Sequence, residues 1–212
     1  MSTRMSQSKV LVSTGLAGVL LMSFAPAFAA ACSGVSIGTA STNDVTFAGL
    51  ASDQCVISTV NPQSGPNGDT SGFDSAFGPR AWSLLAKVTS SPTSVTFGGV
   101  GFNITFAQGS ATAGSWSVTA DKNVTLDLVF AMHAANRSGA FLFDDQPLVA
   151  NVATPGMWTI NWLNNGGQVP AYSNLTLFAR DAVVTSIPEP GTYAMLLGGL
   201  GVMGFVARRR KI

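Results

Sequence analysis

Charged side chains are scarce in this 212-residue chain, at 10% of all residues. Between residues 31 and 187, five basic residues stand against nine aspartates, so this part of the chain is mildly acidic. A nucleic-acid-binding surface needs clustered lysines and arginines to neutralise phosphates. We therefore expect no nucleic-acid partner.

The residues that usually carry catalysis are also few. His133 is the only histidine, and no nucleophile-elbow pattern accompanies it. Glu189 is the only glutamate, whereas glycosidases usually need two carboxylates around one bond. Most aspartates lie in predicted turns, where they are common, and Asp127, which lies in a predicted strand, is expected to face solvent. We expect His133, at the end of a predicted strand, to be a surface or loop-packing residue. The sequence favours a protein that is not an enzyme. A hydrolase would require His133 beside a nucleophile, or two carboxylates together.

The first 30 residues have the layout of a secretory signal peptide. A short basic segment precedes an apolar run over residues 10–24, and Pro26 ends that run. Ala27 and Ala29 are the small residues at the −3 and −1 positions, which predicts cleavage after Ala29 or a neighbour by signal peptidase, following export through the secretion translocon. The alternatives are an uncleaved anchor and a lipoprotein modified at Cys32, although the large aliphatic residue that usually lies three places before such a cysteine is missing.

Only two cysteines are present, Cys32 and Cys55. Export to an oxidising compartment favours a disulfide between them. Closing this loop would stabilise the fold by about 3 kcal/mol on chain-entropy grounds. The alternative is a redox or metal-binding pair, but the spacing fits no zinc or CxxC pattern.

Alternation of apolar and polar residues with a period of two dominates residues 31–181. Trp116 and Val118 share one face, as do Trp158, Ile160 and Trp162. About nine or ten short strands at this spacing predict an all-β body, an antiparallel two-sheet sandwich or jelly roll. A loop over residues 61–79 is long enough to suggest binding or mobility, and residues 82–89 fit either a strand or a short helix. The other predicted strands cover residues 45–50, 55–60, 95–100, 102–107, 115–119, 124–130, 141–143, 158–162 and 175–179.

Aromatic and acidic residues provide two weak candidate sites. Trp82 and Tyr172 could stack on sugar rings if they are exposed, which makes a carbohydrate-binding module the alternative function. Asp144 and Asp145 could help to ligate calcium, although their spacing matches no known loop. Calcium is the only cofactor that the sequence suggests.

The last 26 residues combine three signals in a fixed order. Pro188, Glu189 and Pro190 end the folded body, because proline neither extends a sheet nor fits inside a helix. Residues 193–207 are uncharged and mostly apolar, and a basic cluster then ends the run. Counted from Gly191, the apolar run has about 17 residues, which is near the lower limit for crossing a bilayer. We therefore expect a flexible tether over residues 182–191 and a transmembrane anchor with a cytoplasmic tail over residues 192–212. The alternative, an amphipathic core helix, would need a polar face that the run lacks. The basic cluster consists of Arg208, Arg209, Arg210 and Lys211.

This arrangement resembles the PEP-CTERM sorting signal of bacterial surface proteins. The resemblance rests on Pro188–Glu189–Pro190, the apolar span and the basic cluster, and it covers about an eighth of the chain. It implies a substrate of an exosortase-like membrane protease, exported and held in the inner membrane before processing near the motif. It also implies release to the cell surface or medium, and an association with exopolysaccharide or biofilm.

Overall fold

The alternating residues form strands throughout the body of the protein. A computed structural model describes residues 29–78, 81–89, 91–185, 195, 197–200 and 203. The predicted signal peptide lies almost wholly outside these residues. The twelve described strands are β1 (Ser33–Gly34), β2 (Val45–Phe47), β3 (Leu50–Ala51), β4 (Gln54–Ser58), β5 (Ser83–Val88), β6 (Thr93–Phe97), β7 (Val100–Gln108), β8 (Ala113–Ala120), β9 (Val124–Ala134), β10 (Arg137–Leu148), β11 (Thr154–Thr159) and β12 (Asn174–Val184).

These strands form two six-stranded sheets. The first sheet has the order β1-β4-β10-β9-β12-β5, and the second has the order β3-β2-β11-β8-β7-β6. The named strand pairs are antiparallel, except that β1 pairs with β4 in parallel. The prediction of an all-β, two-sheet body is confirmed.

One apolar core fills the space between the sheets. Trp116 on β8 of the second sheet lies 4.8 Å, between ring centroids, from Phe130 on β9 of the first sheet. Trp158, Ile160 and Trp162 are fully buried in the same core, as their shared face predicted. The core therefore draws its side chains from both sheets and joins them into a sandwich.

Several predicted boundaries are corrected by the structure. The strand expected over residues 45–50 is interrupted by a turn at Ala48 and Gly49, both with positive φ. Residues 83–88 form a strand rather than a helix. The last strand runs to Val184, so the first residues of the predicted tether are paired with β9 instead of being flexible. This extension follows a register shift after Arg180, which lets the strand continue beyond the end of its alternating pattern.

The long segment after β4 covers the outer face of the first sheet. Phe73 and Phe77, together with Trp82, pack on Val129 of β9 and Phe178 of β12 in a second apolar cluster. The rings of Phe73 and Phe178 are 5.3 Å apart, edge to face. The segment predicted to be a binding or mobile loop thus contributes a cover that shields one sheet from water.

The predicted disulfide between Cys32 and Cys55 is confirmed, with Cα atoms 4.7 Å apart. Cys55 lies in β4, and Cys32 directly precedes β1, which pairs with β4 through Ser33 and Gly34. Because β1 contributes only two residues to the sheet, the covalent bond supplies much of the attachment of this edge.

We expect removal of the disulfide to lower the free energy of unfolding. The double variant Cys32→Ala/Cys55→Ala should lose about 3 kcal/mol, because the unfolded chain is no longer constrained. Urea titration of the purified full-length chain measures this, with and without dithiothreitol. Dithiothreitol should destabilise the wild type and leave the double variant unchanged; an equal response of the two would contradict the structural role.

A glycine in β11 allows two sheet neighbours to approach closely. A Cβ built on Gly156 would lie 2.2 Å from Nε1 of Trp116 and 2.3 Å from the carbonyl oxygen of Thr46. The indole nitrogen of Trp116 donates a hydrogen bond to that same carbonyl, at 3.1 Å. A side chain at position 156 would therefore push the indole away from its partner.

The substitution Gly156→Ala should destabilise the fold by about 2 kcal/mol, because overpacking displaces a buried side chain. Gly109→Ala is the matched control, since the nearest atom to its Cβ is 3.6 Å away, an ordinary contact distance. Thermal unfolding followed by tryptophan fluorescence compares the two variants. The packing explanation fails if both variants unfold at the wild-type temperature.

Candidate functional site

Strand β12 carries the chain from the body into the predicted tail. It pairs with β9 on one side and with β5 on the other. At its end Val184 pairs with Val124, and the backbone N–H of Thr185 donates to the carbonyl of Asn123 at 3.0 Å. The exit point of the tail is therefore hydrogen-bonded to the turn between β8 and β9. The sorting motif Pro188–Glu189–Pro190 lies outside the described residues.

A few residues of the apolar run are described, and they are helical at positions 195, 197–200 and 203. Their large side chains are exposed, with Met195 at 80% and Leu197 at 68%. Among the described residues, none belongs to a helix of sufficient length and apolar character to span a bilayer. Most of the predicted anchor, including the basic cluster at Arg208, Arg209, Arg210 and Lys211, lies outside the described residues.

An ion pair lies beneath the covering segment on the outer face of the first sheet. Nε of Arg180 on β12 is 2.7 Å from Oδ2 of Asp127 on β9, and both side chains are at most 10% exposed. Nη1 of Arg180 donates to the carbonyl of Phe77 at 3.1 Å. Its guanidinium carbon lies 4.0 Å from the ring centre of Trp82. Arg180 thus connects the covering segment to the first sheet.

The expectation that Asp127 faces solvent is wrong. Its side chain does point away from the main core, but the covering segment buries that face. Burial by itself would raise the pKa of Asp127; hydrogen bonds from the backbone N–H of Asp145 and from Arg180 outweigh it and hold the pKa below its usual value. Asp127 is therefore ionised in the folded protein at neutral pH.

The two candidate calcium ligands take part in this same cluster. Oδ1 of Asp144 is 4.0 Å from Nη2 of Arg180. The backbone N–H of Asp144 donates to Oδ2 of Asp53 at 2.8 Å. Partial burial and the neighbouring Asp127 raise the pKa of Asp144. Asp145 uses its backbone N–H to bind Asp127. No group of three or more acidic, histidine or cysteine side chains suited to a metal occurs in the part of the chain that the structure describes.

Trp82 and Tyr172, the candidate sugar contacts, lie in different clusters. Trp82 is only 9% exposed, between Arg180 and Phe73, so little of its ring is free for a sugar. Tyr172 is half-buried, with its ring 4.9 Å from that of Phe106. Together with Gln108, these two rings line a cleft of about 250 Å³. Of the two candidates, Tyr172 is the one beside an open cleft.

His133, which was expected to be a surface or loop-packing residue, is half-buried. It lies near the end of β9, and its Nδ1 is 2.8 Å from Oγ of Ser138 on β10. Burial lowers the pKa of His133, so its neutral form is favoured. Ser138 is only 3% exposed, which leaves its hydroxyl little access to a substrate.

The ion pair of Asp127 and Arg180 was missed in the sequence, although a signal was present. Residues 128–132 form an unbroken apolar run inside an otherwise alternating strand. Such a run indicates a strand that is buried on both faces. It could have predicted a cover over the first sheet, and therefore a buried environment for the neighbouring aspartate.

The comparisons with known proteins concern the tail. The family model of the PEP-CTERM protein-sorting motif matches residues 186–211. No curated protein and no solved structure matches the chain significantly. The chain therefore carries a PEP-CTERM sorting motif, which begins two residues after the end of β12.

We expect the variant Asp127→Asn to lose about 3 kcal/mol of unfolding free energy at neutral pH, because it leaves the buried Arg180 without its ionised partner. The double variant Asp127→Asn/Arg180→Gln should be less affected, since no unpaired charge remains. Urea titration at pH 7 compares these variants. Equal losses in the single and double variants would contradict the pairing.

The same pair predicts an acid dependence. Since the pKa of Asp127 is lower in the folded state, the unfolded chain binds more protons, and the stability that Asp127 contributes is complete above the ordinary carboxyl pKa of about 3.9. It is lost as pH falls from there through the lower folded value. Stability measured from pH 6 down to pH 2 should therefore fall less steeply in Asp127→Asn than in the wild type.

Proposed function

We propose that this chain is a non-catalytic surface protein whose body is exported and whose tail is a sorting signal that is removed by cleavage. In this proposal, the signal peptide directs export, and the segment 192–212 holds the chain in the inner membrane. An exosortase-type protease then cuts near Pro188–Glu189–Pro190 and passes the body to the cell surface or medium. The match of residues 186–211 to the PEP-CTERM motif is the observation that carries the proposal.

The position of the motif supports a separable tail. Strand β12 ends at Val184, and the match begins at residue 186, so a cut near the motif would leave every described strand intact. The described tail side chains Met195, Leu200 and Met203 are all more than half exposed and belong to neither apolar cluster of the body. Exposed apolar side chains of this kind are more stable in lipid than in water.

A non-catalytic role is supported by the surroundings of the reactive side chains. His133 contacts Ser138, but burial limits the access of a substrate to that hydroxyl. Asp127 and Asp144 surround Arg180 rather than an open cleft, so these carboxylates serve an ion pair. Neither arrangement offers a reacting group to a substrate in the way that general acid–base catalysis requires.

At the surface, we place the body among exopolysaccharide. The second candidate function is a carbohydrate-binding module that uses the cleft beside Tyr172. Its support is the half-exposed ring of Tyr172 next to Gln108, because an aromatic face and a carboxamide are both suited to a sugar.

Processing at the motif should depend on its three central residues. In a bacterial host with an exosortase-type protease, the variant Pro188→Ala/Glu189→Ala/Pro190→Ala should stay full-length in the membrane fraction, whereas the wild type should reach the surface or medium in a shorter form. Pro66→Ala, in an exposed turn of the body, is the control and should be processed normally. Immunoblots of cell fractions measure this. Normal shortening and release of the triple variant would refute the assigned role of the motif.

A further inference from the structure

Within the described part of the chain, the six strands of the second sheet contain no charged residue. The strands of the first sheet, by contrast, carry seven charged residues, which are Lys87, Asp127, Arg137, Asp144, Asp145, Arg180 and Asp181. Both sheets share one core, so burial between the sheets does not account for this difference. The difference in charged residues therefore lies in the outer faces of the two sheets.

Hydroxyl and carboxamide side chains make up most of that outer face. Along β7 and β8 the residues alternate between buried and solvent-facing, and paired positions in the two strands point the same way. Oγ1 of Thr105 lies 2.7 Å from Oγ of Ser117, and Nδ2 of Asn103 donates to Ser94 at 3.4 Å. The result is an array of small donors and acceptors, in which Ser94, Asn103 and Thr105 are exposed and Ser115, Ser117 and Thr119 are half-buried.

A depression of about 390 Å³ lies at one end of this array. Gly101 lines it, and a Cβ there would come within 2.9 Å of Oδ2 of Asp121. The other carboxylate oxygen of Asp121 accepts the backbone N–H of Gly101 at 2.9 Å. The side chains of Asn103 and Asn151 also line the depression. A carboxylate, two carboxamides and hydroxyls thus meet around one open space.

The chemistry of this face decides between classes of partner. Nucleic acids and acidic polymers require Lys or Arg, which the strands lack. Membrane surfaces require an apolar or basic face. Protein interfaces are rich in aromatic residues, Met and Arg and poor in Ser, whereas on this face Met157, 59% exposed, lies among Ser and Thr residues. A neutral polysaccharide presents hydroxyl groups that both donate and accept, which matches the side chains of the array.

We propose that the outer face of the second sheet binds a neutral polysaccharide, with the depression beside Gly101 as the centre of the site. This inference rests on the proposed function and deepens it, because it names the chemical class of exopolysaccharide and the surface that contacts it. Many weak hydrogen bonds along a repeating polymer add up through multivalency, so no single contact has to be strong. Because a neutral polymer carries no charge, the binding should depend little on salt.

The test is affinity electrophoresis of the full-length chain in native gels. The gels contain a β-glucan, a mannan, a galactan or the acidic polymer alginate, and a polyoxyethylene detergent avoids a competing sugar headgroup. We expect the chain to be retarded by at least one neutral polymer, equally at low and high salt. The variant Asn103→Ala/Thr105→Ala should bind about tenfold more weakly, since it removes two hydrogen-bonding side chains.

Two control variants locate the binding surface. Gln54→Ala/Ser83→Ala removes two exposed polar side chains from strands of the first sheet and should bind like the wild type. Tyr172→Ala tests the cleft of the second candidate function, which the proposed face does not include. If Tyr172→Ala loses binding while Asn103→Ala/Thr105→Ala keeps it, the cleft is the site and the proposal is overturned. Circular dichroism melts establish that each variant is folded.

Other results would also overturn the proposal. The first is that no neutral polymer retards the chain, and the second is that alginate alone retards it. The third is concentration-dependent dimerisation that Asn103→Ala/Thr105→Ala abolishes, because this would assign the face to a second copy of the chain. The gel uses unprocessed chain, so its result does not depend on whether the tail is cut in cells. A chain that binds but is never cut in cells would contradict the proposed sorting alone, and a chain that is cut but does not bind would contradict the binding face alone.

Discussion

The apolar layer between the two sheets is the interaction on which the rest of the structure depends. Trp116 and Phe130 meet across it, and the fully buried Trp158 and Phe143 fill it from opposite sheets. Burial of such aromatic side chains is a dominant favourable contribution to folding. The described residues that are buried in this layer lie between Cys32 and Ala179.

The outer faces of the two sheets have opposite characters for a physical reason. The first sheet has apolar residues on both faces, and a second cluster around Phe73 and Phe178 must therefore be covered. The cover is held by Arg180, whose charge is balanced by Asp127. The second sheet has hydroxyl groups outside, which water satisfies without a cover. One face is thus used for stability, and the other stays available for contact with the surroundings.

Much of the fold could be predicted from the sequence, because its dominant signal is local. The period of two placed Trp158 and Trp162 in the core, and export with only two cysteines indicated the disulfide. The pair of Asp127 and Arg180 could not be derived, because it joins residues 53 positions apart across neighbouring strands. The same holds for the contact of His133 with Ser138, which depends on the register of β9 and β10. The uncharged outer face becomes visible only when the strands are assigned to sheets.

The central proposal is that the tail is a cleavable sorting signal and that the β-sandwich body remains folded without it. Intact-mass spectrometry of the protein recovered from the cell surface and medium tests this most directly. The account predicts a chain that starts near Ala30, contains one disulfide and lacks residues 192–212. Recovery of surface protein whose mass still includes the terminal basic cluster, Arg208 to Lys211, would contradict it.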